Sequence, residues 1–354
     1  MTSSVVVTGG AGFIGSHLVR HLLRHTQMRI IVVDALTYAG SLANLAGADG
    51  DPRVLFVEAD IGDHATMLAT LRRYEPRWLV NLAAESHVDR SIEGPRRFLQ
   101  TNVDGTFELL DAAREYWSGR TESEKRDFRF LHISTDEVYG SLGAEGFFTE
   151  ESPFAPSSPY AASKAAADQF VRCYRETYGL PTLITHCSNN FGPFQLPEKL
   201  IPLVILNATA GLPLPIYGDG SHVRDWLHVE DHCSGILTVL ERGRIGERYN
   251  IGANNEQTNL EMVARLCDLL EELRPAAANP ALRHRGVGEY SALRTFVADR
   301  LGHDQRYAID SSKLRRELGW QPQCRFEPAL RATVEWYLGH TEWCAVMRAR
   351  LAVG

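Results

Sequence analysis

A small group of residues in this chain has the types and spacing needed for chemistry on an alcohol. Tyr160 and Lys164 stand four positions apart after Pro159, so a helix beginning there would project both side chains from one face. A lysine ammonium beside a phenol lowers the pKa of that phenol, which can then take a proton from an alcohol as hydride leaves the same carbon. Taken alone, this spacing is also typical of an ordinary amphipathic helix.

An acidic pair precedes this helix. Asp136 and Glu137 follow Thr135 and a predicted strand over residues 130–134, at the sheet edge where ligands bind in open α/β folds. Neighbouring carboxyl groups in different surroundings separate their pKa values, so one can act as an acid while the other acts as a base. Hydride transfer alone needs no such pair. The combination predicts oxidation followed by elimination, with Thr135 hydrogen-bonding the reacting oxygen. The alternative for Asp136 and Glu137 is an acidic turn exposed to solvent, and the alternative for Thr135 is a hydroxyl that only ends a strand.

A glycine loop near the start of the chain predicts dinucleotide binding. Gly10, Gly12 and Gly15 follow a short apolar strand and open a predicted helix. This spacing permits a tight turn and close approach of the backbone to a pyrophosphate, and the helix N-terminus attracts the phosphates. Asp34, at the end of the next predicted strand, can accept both ribose hydroxyls and would repel a 2′-phosphate. The sequence therefore favours NAD over NADP.

The bulk composition limits the class of protein. The 354 residues are 44% hydrophobic and 23% charged, as in ordinary globular proteins, and the net charge of −7 argues against a general nucleic-acid surface. The cysteines are scattered without a CxxC pair, which predicts neither a metal site nor a disulfide framework. No apolar run approaches the roughly 20 residues that span a bilayer, and the first residues lack a leader pattern. We therefore expect a cytoplasmic protein without membrane contacts.

Alternating strands and helices must bring these residues together. Over residues 1–190, apolar runs rich in β-branched residues alternate with helical patterns, which predicts an α/β fold with a doubly wound parallel (Rossmann) sheet. We assign this part to an NAD-binding domain, to which residues 226–252 return. Residues 191–225 and 253–354 are expected to form a smaller, interleaved C-terminal substrate domain. Within it, residues 274–294 are predicted to be an exposed excursion, and a single helix is predicted near the C-terminus.

Longer strings make a resemblance to a known family specific. They lie at residues 34–40, 81–92, 187–193, 198–202 and 224–226. With the glycine loop and the Tyr160–Lys164 pair, they resemble the extended short-chain dehydrogenase/reductases and, more narrowly, the dTDP-glucose 4,6-dehydratases. The sequence departs from the family pattern at Leu301, where proline is usual, and at His186, where asparagine or arginine is more familiar. The excursion is also longer than usual.

The resemblance implies a redox-neutral dehydration. Tyr160 would deprotonate the glucose 4-hydroxyl while NAD takes the C4 hydride. Glu137 would then remove the acidified C5 proton, and Asp136 would protonate the departing 6-hydroxyl. The hydride would return to C6, which gives dTDP-4-keto-6-deoxy-glucose and regenerates a tightly bound NAD.

The resemblance also implies which residues bind each ligand. The residues expected to line NAD are Gly9, Gly12, Phe13, Ile14, Gly15, Asp34, Ala35, Leu36, Thr37, Asp60, Ile61, Leu82, Ala83, Ala84, Thr101, Tyr160, Lys164 and Asn190. Those expected to hold the nucleotide sugar are Ser86, Thr135, Asp136, Glu137, Asn189, Lys199, Leu200, Pro215, Ile216, Tyr217, Arg224, Asn259, Asp299, Arg300 and His303. The family further implies a homodimer in which helices near residues 102–117 and 159–178 pair across a four-helix bundle.

Two other functions remain open from the sequence. A nucleotide-sugar 4-epimerase or decarboxylase of the same family would use NAD, Tyr160 and Lys164, but it would not need Asp136 and Glu137 for an elimination. A non-catalytic NAD-binding regulator would be expected to lack some of these reactive side chains.

Overall fold

The computed structural model describes residues 3–353 and is built around a seven-stranded parallel sheet. The strands of the chain are β1 (Ser4–Thr8), β2 (Arg29–Asp34), β3 (Val54–Glu58), β4 (Trp78–Asn81), β5 (Arg129–Thr135), β6 (Thr182–Cys187), β7 (Asn189–Phe191), β8 (Leu214–Tyr217), β9 (Val223–His228), β10 (Arg248–Ile251), β11 (Glu256–Thr258) and β12 (Arg294–Val297). The large sheet has the order β10-β6-β5-β4-β1-β2-β3.

The strand order creates a crevice at the centre of this sheet. From β1 the chain adds β2 and β3 on one side, and it then adds β4, β5, β6 and β10 on the other. Ligands bind at such a switch point, outside the carboxyl ends of the strands. The ends of β1 and β4 meet there, because Thr8 and Asn81 are register partners. The predicted doubly wound α/β fold is confirmed.

Helices cover both faces of the sheet. The α-helices are α1 (Phe13–His25), α2 (His64–Tyr74), α3 (Val88–Glu93), α4 (Pro95–Phe98), α5 (Gly105–Ser118), α6 (Glu122–Asp127), α7 (Pro159–Tyr178), α8 (Leu200–Ala210), α9 (Val229–Arg242), α10 (Asn259–Leu273), α11 (Pro280–Arg283), α12 (Ser312–Leu318), α13 (Phe326–Gly339) and α14 (Thr341–Val353). Successive strand residues point to opposite faces, so Val5 and Val7 pack with α1 and α9 while Val6 packs with α2, α5 and α7. None of the helices in residues 3–353 combines the length and apolar character needed to cross a membrane.

A second hydrophobic core lies beside the sheet. It joins α8, α10 and α13 through fully buried side chains such as Ile201, Leu266 and Val334. Two small sheets flank this core, one with the order β11-β9-β7 and the other formed by β8 and β12. Strand β10 pairs with β6, so the chain returns to the large sheet between its contributions to the second core.

Of the predictions about the second half of the chain, one holds only in part and another is wrong. The segment 274–294 is not simply an exposed excursion, because Leu282 and Tyr290 are fully buried in the second core and the Tyr290 hydroxyl donates to the Arg274 carbonyl at 2.8 Å. Prolines and short helical turns hide this packing from a periodicity argument. The single predicted C-terminal helix is two helices, α13 and α14, separated at His340.

Candidate active site

The glycine loop forms a cradle that only glycine can line. Gly9 has φ of +64°, and its carbonyl accepts from the Gly12 N–H at 3.1 Å. A β-carbon at Gly15 would stand 2.1 Å from that carbonyl oxygen. Helix α1 starts directly after Gly12, whose lack of a side chain leaves the first N–H groups free to bind phosphate. The loop therefore fits the pyrophosphate of a dinucleotide.

Asp34 ends β2 beside this loop and is held by two backbone donors. Its carboxylate accepts from the N–H groups of Ala11 at 3.0 Å and Leu36 at 2.9 Å. Burial raises the pKa of Asp34, and these bonds partly oppose the rise. A β-carbon at Gly40 would lie 2.3 Å from the Oδ1 atom of Asp34, so glycine at this position leaves room for the carboxylate. A fixed carboxylate at this position suits ribose hydroxyls and disfavours a 2′-phosphate.

The loop and Asp34 open into a cavity of about 310 Å³ above the switch point. The predicted cofactor residues that line it are Gly9, Gly12, Phe13, Ile14, Gly15, Asp34, Ala35, Thr37, Asp60, Ile61, Leu82, Ala83, Ala84, Thr101, Tyr160, Lys164 and Asn190. Leu36 does not line the cavity, since its side chain packs against the main core. Thr101 reaches the cavity from a π-helical turn, Leu99–Asp104, which lies between α4 and α5.

Tyr160 and Lys164 project from the first turns of α7 into the same cavity. Ser158 caps this helix by accepting from the Ala161 N–H at 3.1 Å, and Pro159 occupies its first turn. The Lys164 ammonium donates to the Ile133 carbonyl at 2.8 Å. Burial lowers the pKa of Lys164 to about 8, so its charge is poised near neutral pH.

The pKa of Tyr160 is not lowered as predicted. Burial raises it well above its ordinary value, the negative charge of Glu137 adds to the rise, and hydrogen bonding by Thr135 opposes it. The prediction counted the charges of the lysine and of a bound nicotinamide, but not the desolvation of a phenol that is only 9% exposed. Activation of Tyr160 therefore depends on a further positive charge in the cavity, as a bound nicotinamide ring would supply.

The acid pair stands at the end of β5, in a 3-10 turn over Asp136–Tyr139. Thr135 caps this turn by accepting from the Glu137 N–H at 3.3 Å, and its hydroxyl also lies 3.3 Å from Asp136 Oδ1. The other Asp136 oxygen is buried without a hydrogen-bond partner in the described part of the chain. Both carboxyl groups line the cavity beside Tyr160.

The surroundings push the pKa values of the two carboxyl groups apart. Burial raises the pKa of Asp136 well above its usual range, and the neighbouring Glu137 carboxylate raises it further. Burial also raises the pKa of Glu137, but Arg224, Lys199 and Arg300 act against the rise. Asp136 is therefore suited to hold a proton and Glu137 to be ionised, which are the states of a general acid and a general base.

A second cavity of about 190 Å³ continues from the first beyond Glu137. The predicted substrate residues that line it are Ser86, Glu137, Asn189, Lys199, Leu200, Pro215, Tyr217, Arg224, Asn259, Arg300 and His303. Thr135 and Asp136 line the first cavity instead. Asp299 lines neither of the two cavities, and its carboxylate accepts from His303 Nδ1 at 2.7 Å. The side chain of Ile216 points into the second core, because alternate residues of β8 face opposite ways.

Cationic groups surround the second cavity. Arg224 is 7% exposed, donates to backbone carbonyls of Val223 and Asp304, and lies over the Tyr307 ring at 4.3 Å. Lys199 donates to the Ser86 carbonyl at 2.9 Å. Neither cation forms an ion pair with a carboxylate of residues 3–351, so both charges are available to an anionic ligand such as a diphosphate.

Sequence reasoning missed a buried polar cluster behind Lys164. His132 Nε2 lies 3.2 Å from the Lys164 ammonium and 3.6 Å from the Asp168 carboxylate. Asp168 in turn accepts from Ser134 at 2.9 Å and contacts His186 at 3.0 Å. The position of His132 inside β5 alone gives no sign of this cluster. The available signal was Asp168, which lies one helical turn after Lys164 on the buried face of α7.

Comparison with known proteins decides the family. A family model described as GDP-mannose 4,6 dehydratase matches residues 6–333. The dTDP-glucose 4,6-dehydratase of Neisseria meningitidis is 54% identical over 340 residues, which cover 96% of this chain and 94% of that protein. The chain belongs to the dTDP-glucose 4,6-dehydratase family. A relative from Escherichia coli, dTDP-glucose 4,6-dehydratase 1, is 51% identical over 348 residues and is covered over 94% of its length by 96% of this chain.

Solved structures of dTDP-glucose 4,6-dehydratases share the fold. DesIV from Streptomyces venezuelae, solved with NAD and TYD bound, has a TM-score of 0.87 and 47% identity, with 97% of this chain and 99% of that chain covered. The enzyme from Bacillus anthracis, in complex with NAD, has a TM-score of 0.84 and 43% identity, with coverage of 98% and 100%. A UDP-glucose 4-epimerase from Thermotoga maritima has a TM-score of 0.81 at 27% identity, with 96% and 99% covered.

Proposed function

We propose that this protein dehydrates dTDP-glucose to dTDP-4-keto-6-deoxy-glucose with NAD as a tightly bound cofactor. The observation that carries the proposal is the acid pair, in which two adjacent carboxyl groups with separated pKa values stand beside Tyr160 at the junction of two cavities. The names and bound ligands of the related proteins support the same substrate and cofactor.

Tyr160 and Lys164 carry out the first step. NAD, held by the residues that line the first cavity, would supply the hydride acceptor for C4 of the sugar and the hydride donor for C6. Tyr160 takes the proton of the 4-hydroxyl as that hydride leaves. Lys164, fixed by the Ile133 carbonyl, contributes the charge that stabilises the phenolate. The resulting 4-keto group makes the neighbouring C5–H bond acidic.

Glu137 and Asp136 carry out the elimination. Glu137, surrounded by three cations, removes the C5 proton, and Asp136, protonated because of its burial, donates a proton to the departing 6-hydroxyl. Water leaves and a C5–C6 double bond forms. Hydride return to C6 and reprotonation of C5 from Glu137 complete the product.

The proton balance assigns a role to Thr135. Each turnover leaves Tyr160 with the proton of the 4-hydroxyl and leaves Asp136 without the proton that departed in water. The Thr135 hydroxyl donates to Asp136 Oδ1 at 3.3 Å, and its side chain also opposes the rise in the pKa of Tyr160, so it is placed to reach both groups. It can pass one proton between them and so restore both groups for the next cycle.

The cations of the second cavity are suited to the diphosphate of the substrate. Arg224 and Lys199 have no carboxylate partner within residues 3–351, whereas Arg300 is paired with Asp89 at 2.5 Å and 3.0 Å. We therefore assign the main phosphate contacts to Arg224 and Lys199. The aromatic ring of Tyr217 and the side chain of Asn259 line the same cavity toward the nucleoside end.

The alternatives are less favourable. A 4-epimerase or decarboxylase would leave the acid pair without a task, although an epimerase shares the fold at 27% identity. A non-catalytic regulator would not need the Tyr160–Lys164 arrangement or the separated pKa values.

We also propose a cytoplasmic homodimer. Leu99, Phe107, Phe170 and Tyr178 are all more than one-third exposed, and they lie on or beside α5 and α7. The Phe107 and Phe170 rings contact each other at 5.9 Å and join the two helices into one apolar surface, which fits a second copy of this chain. Six free cysteines agree with a reducing compartment. Analytical ultracentrifugation at micromolar concentration tests the dimer, and a single monomeric species would contradict it.

One assay tests the proposed reaction. The purified protein is incubated with dTDP-glucose, and alkali is then added to develop the absorbance of a 4-keto-6-deoxy sugar. Parallel samples contain UDP-, CDP- or GDP-glucose. We expect signal from dTDP-glucose first and most strongly, and absence of signal from all four sugars would rule out a dehydratase.

A further inference from the structure

Helix α14 packs on the segment that would surround the adenosine half of the cofactor, although it lies beyond residues 6–333 that match the family model. We propose that α14 is a clasp that retains NAD, with Arg350 as a positioning residue for the loop after Asp34. The proposal rests on the proposed function, because it takes NAD to be the cofactor.

Arg350 fixes the loop that follows the ribose-binding carboxylate. Its guanidinium donates to the carbonyls of Leu36 at 3.2 Å and Thr37 at 2.9 Å. Leu36 has φ of +49°, which is uncommon for a residue with a branched side chain, and its N–H donates to Asp34. The arginine therefore holds in place a strained peptide that positions Asp34.

A second connection joins α14 to the glycine loop. The Trp343 indole N–H donates to the Asn44 side chain at 2.9 Å. The amide group of Asn44 donates in turn to the Ala11 carbonyl at 2.8 Å, and the Ala11 N–H donates to Asp34. The helix thus contacts the segment after Asp34 directly and reaches the glycine loop through Asn44.

Apolar contacts seat the middle of the helix. Met347 is fully buried in a small cluster with Tyr38 and Leu196. Leu196 also lines the cofactor cavity, and Arg90 lies over the Tyr38 ring at 4.4 Å. The loop cannot move away from the cavity without breaking these contacts, so release of a bound dinucleotide requires α14 to loosen.

Such a clasp matters for this chemistry. The electrons removed at C4 are returned to C6 in the same cycle, so a reduced cofactor that escapes in mid-cycle leaves the enzyme inactive. A slow release rate keeps the two hydride transfers on one cofactor molecule.

Arg348 provides a matched control on the same helix. Its guanidinium donates to Asn207 Oδ1 at 2.8 Å, on the side of α8 and away from the loop. The variants Arg350→Ala and Arg348→Ala thus remove the same charge from the same helix. The Trp343→Phe variant removes only the indole N–H and keeps most of the packing.

The experiment measures NAD bound after purification and the rate of NADH release, followed by its fluorescence on dilution with excess NAD. We expect about tenfold faster release from Arg350→Ala, because its hydrogen bonds to two loop carbonyls are lost, and a smaller increase from Trp343→Phe. Arg348→Ala should match the unmodified protein. If Arg350→Ala loses turnover, added NAD should restore it, because the substitution changes only the NAD concentration that activity requires.

Unchanged release from Arg350→Ala would overturn the proposal, and so would equal acceleration by both arginine variants. Failure of the proposed function is a separate result. It would show as absence of 4-keto sugar from the unmodified protein with NAD bound, whatever the release rates.

Discussion

Glu137→Gln should stop the reaction after the first hydride transfer. The amide cannot accept the C5 proton, so the 4-keto sugar and reduced cofactor should accumulate in the active site. The oxidation itself should survive, because the Glu137 charge is one cause of the raised Tyr160 pKa and its removal makes the phenol a better acid. The substitution therefore separates two steps that share one cavity.

The size of the effect follows from the role assigned to Glu137. General base catalysis contributes about 10²- to 10⁴-fold, so overall turnover should fall by that factor, or roughly 3 to 5 kcal/mol in activation free energy. The three cations around Glu137 favour the ionised base, and a neutral glutamine makes no use of them in proton removal. We therefore expect a value toward the upper end.

Two measurements follow the separated steps. Rapid mixing with dTDP-glucose reports cofactor reduction through NADH absorbance, and the uptake of solvent deuterium at C5 is read by mass spectrometry. Glu151→Gln is the matched control, because Glu151 is exposed and lies outside both catalytic cavities. Normal deuterium uptake at C5 by Glu137→Gln, or a loss of turnover below about tenfold, would refute the assignment of Glu137 as the base.

Further predictions concern the loop, the acid and the buried cluster. Gly15→Ala should abolish NAD retention because its β-carbon would stand 2.1 Å from a backbone oxygen, whereas Gly143→Ala has open space and should retain NAD, as measured by bound NAD after purification. Asp136→Asn should lose turnover but raise the melting temperature. The pKa of Asp136 is raised in the folded state. Asp136 therefore stabilises the fold below its ordinary pKa of about 4, and this stabilisation is lost as pH rises through its folded-state pKa. The increase in melting temperature caused by Asp136→Asn should therefore grow with pH between these two pKa values. An increase that does not depend on pH would contradict this prediction. The alkaline limb of the pH–rate profile should follow the loss of charge at Lys164, whose pKa is about 8. Asp168→Asn should move this limb to lower pH by about one unit, because it removes a buried carboxylate that stabilises the ammonium. An unmoved limb would disprove that link.

The sequence predicted the large sheet well for a physical reason. Strands buried on both faces tend to be continuous apolar runs, and residues 30–33 of β2 form such a run ahead of Asp34. The glycine loop was readable because only glycine tolerates the approach of Gly9 to Gly15. Such local constraints leave a mark on consecutive residues.

The sequence did not predict features that arise from contacts between distant segments. The side chain of Ile216 points into the second core because alternate residues of β8 face opposite sides. Tyr290 is buried by helices that are distant in sequence. The pKa of Tyr160 depends on a burial that no pattern within α7 reveals. The same holds for Lys164 and His132, which meet because α7 packs on β5.

The proposed reaction moves a hydride from C4 to C6 of the same sugar. It is tested most directly with dTDP-glucose that carries deuterium at C4, using the protein with its own bound NAD. Mass spectrometry and NMR of the product should find the deuterium in the new C6 methyl group. A methyl group without deuterium, with the label lost to the solvent or kept only at C4 of sugar that was not oxidised, would contradict this transfer.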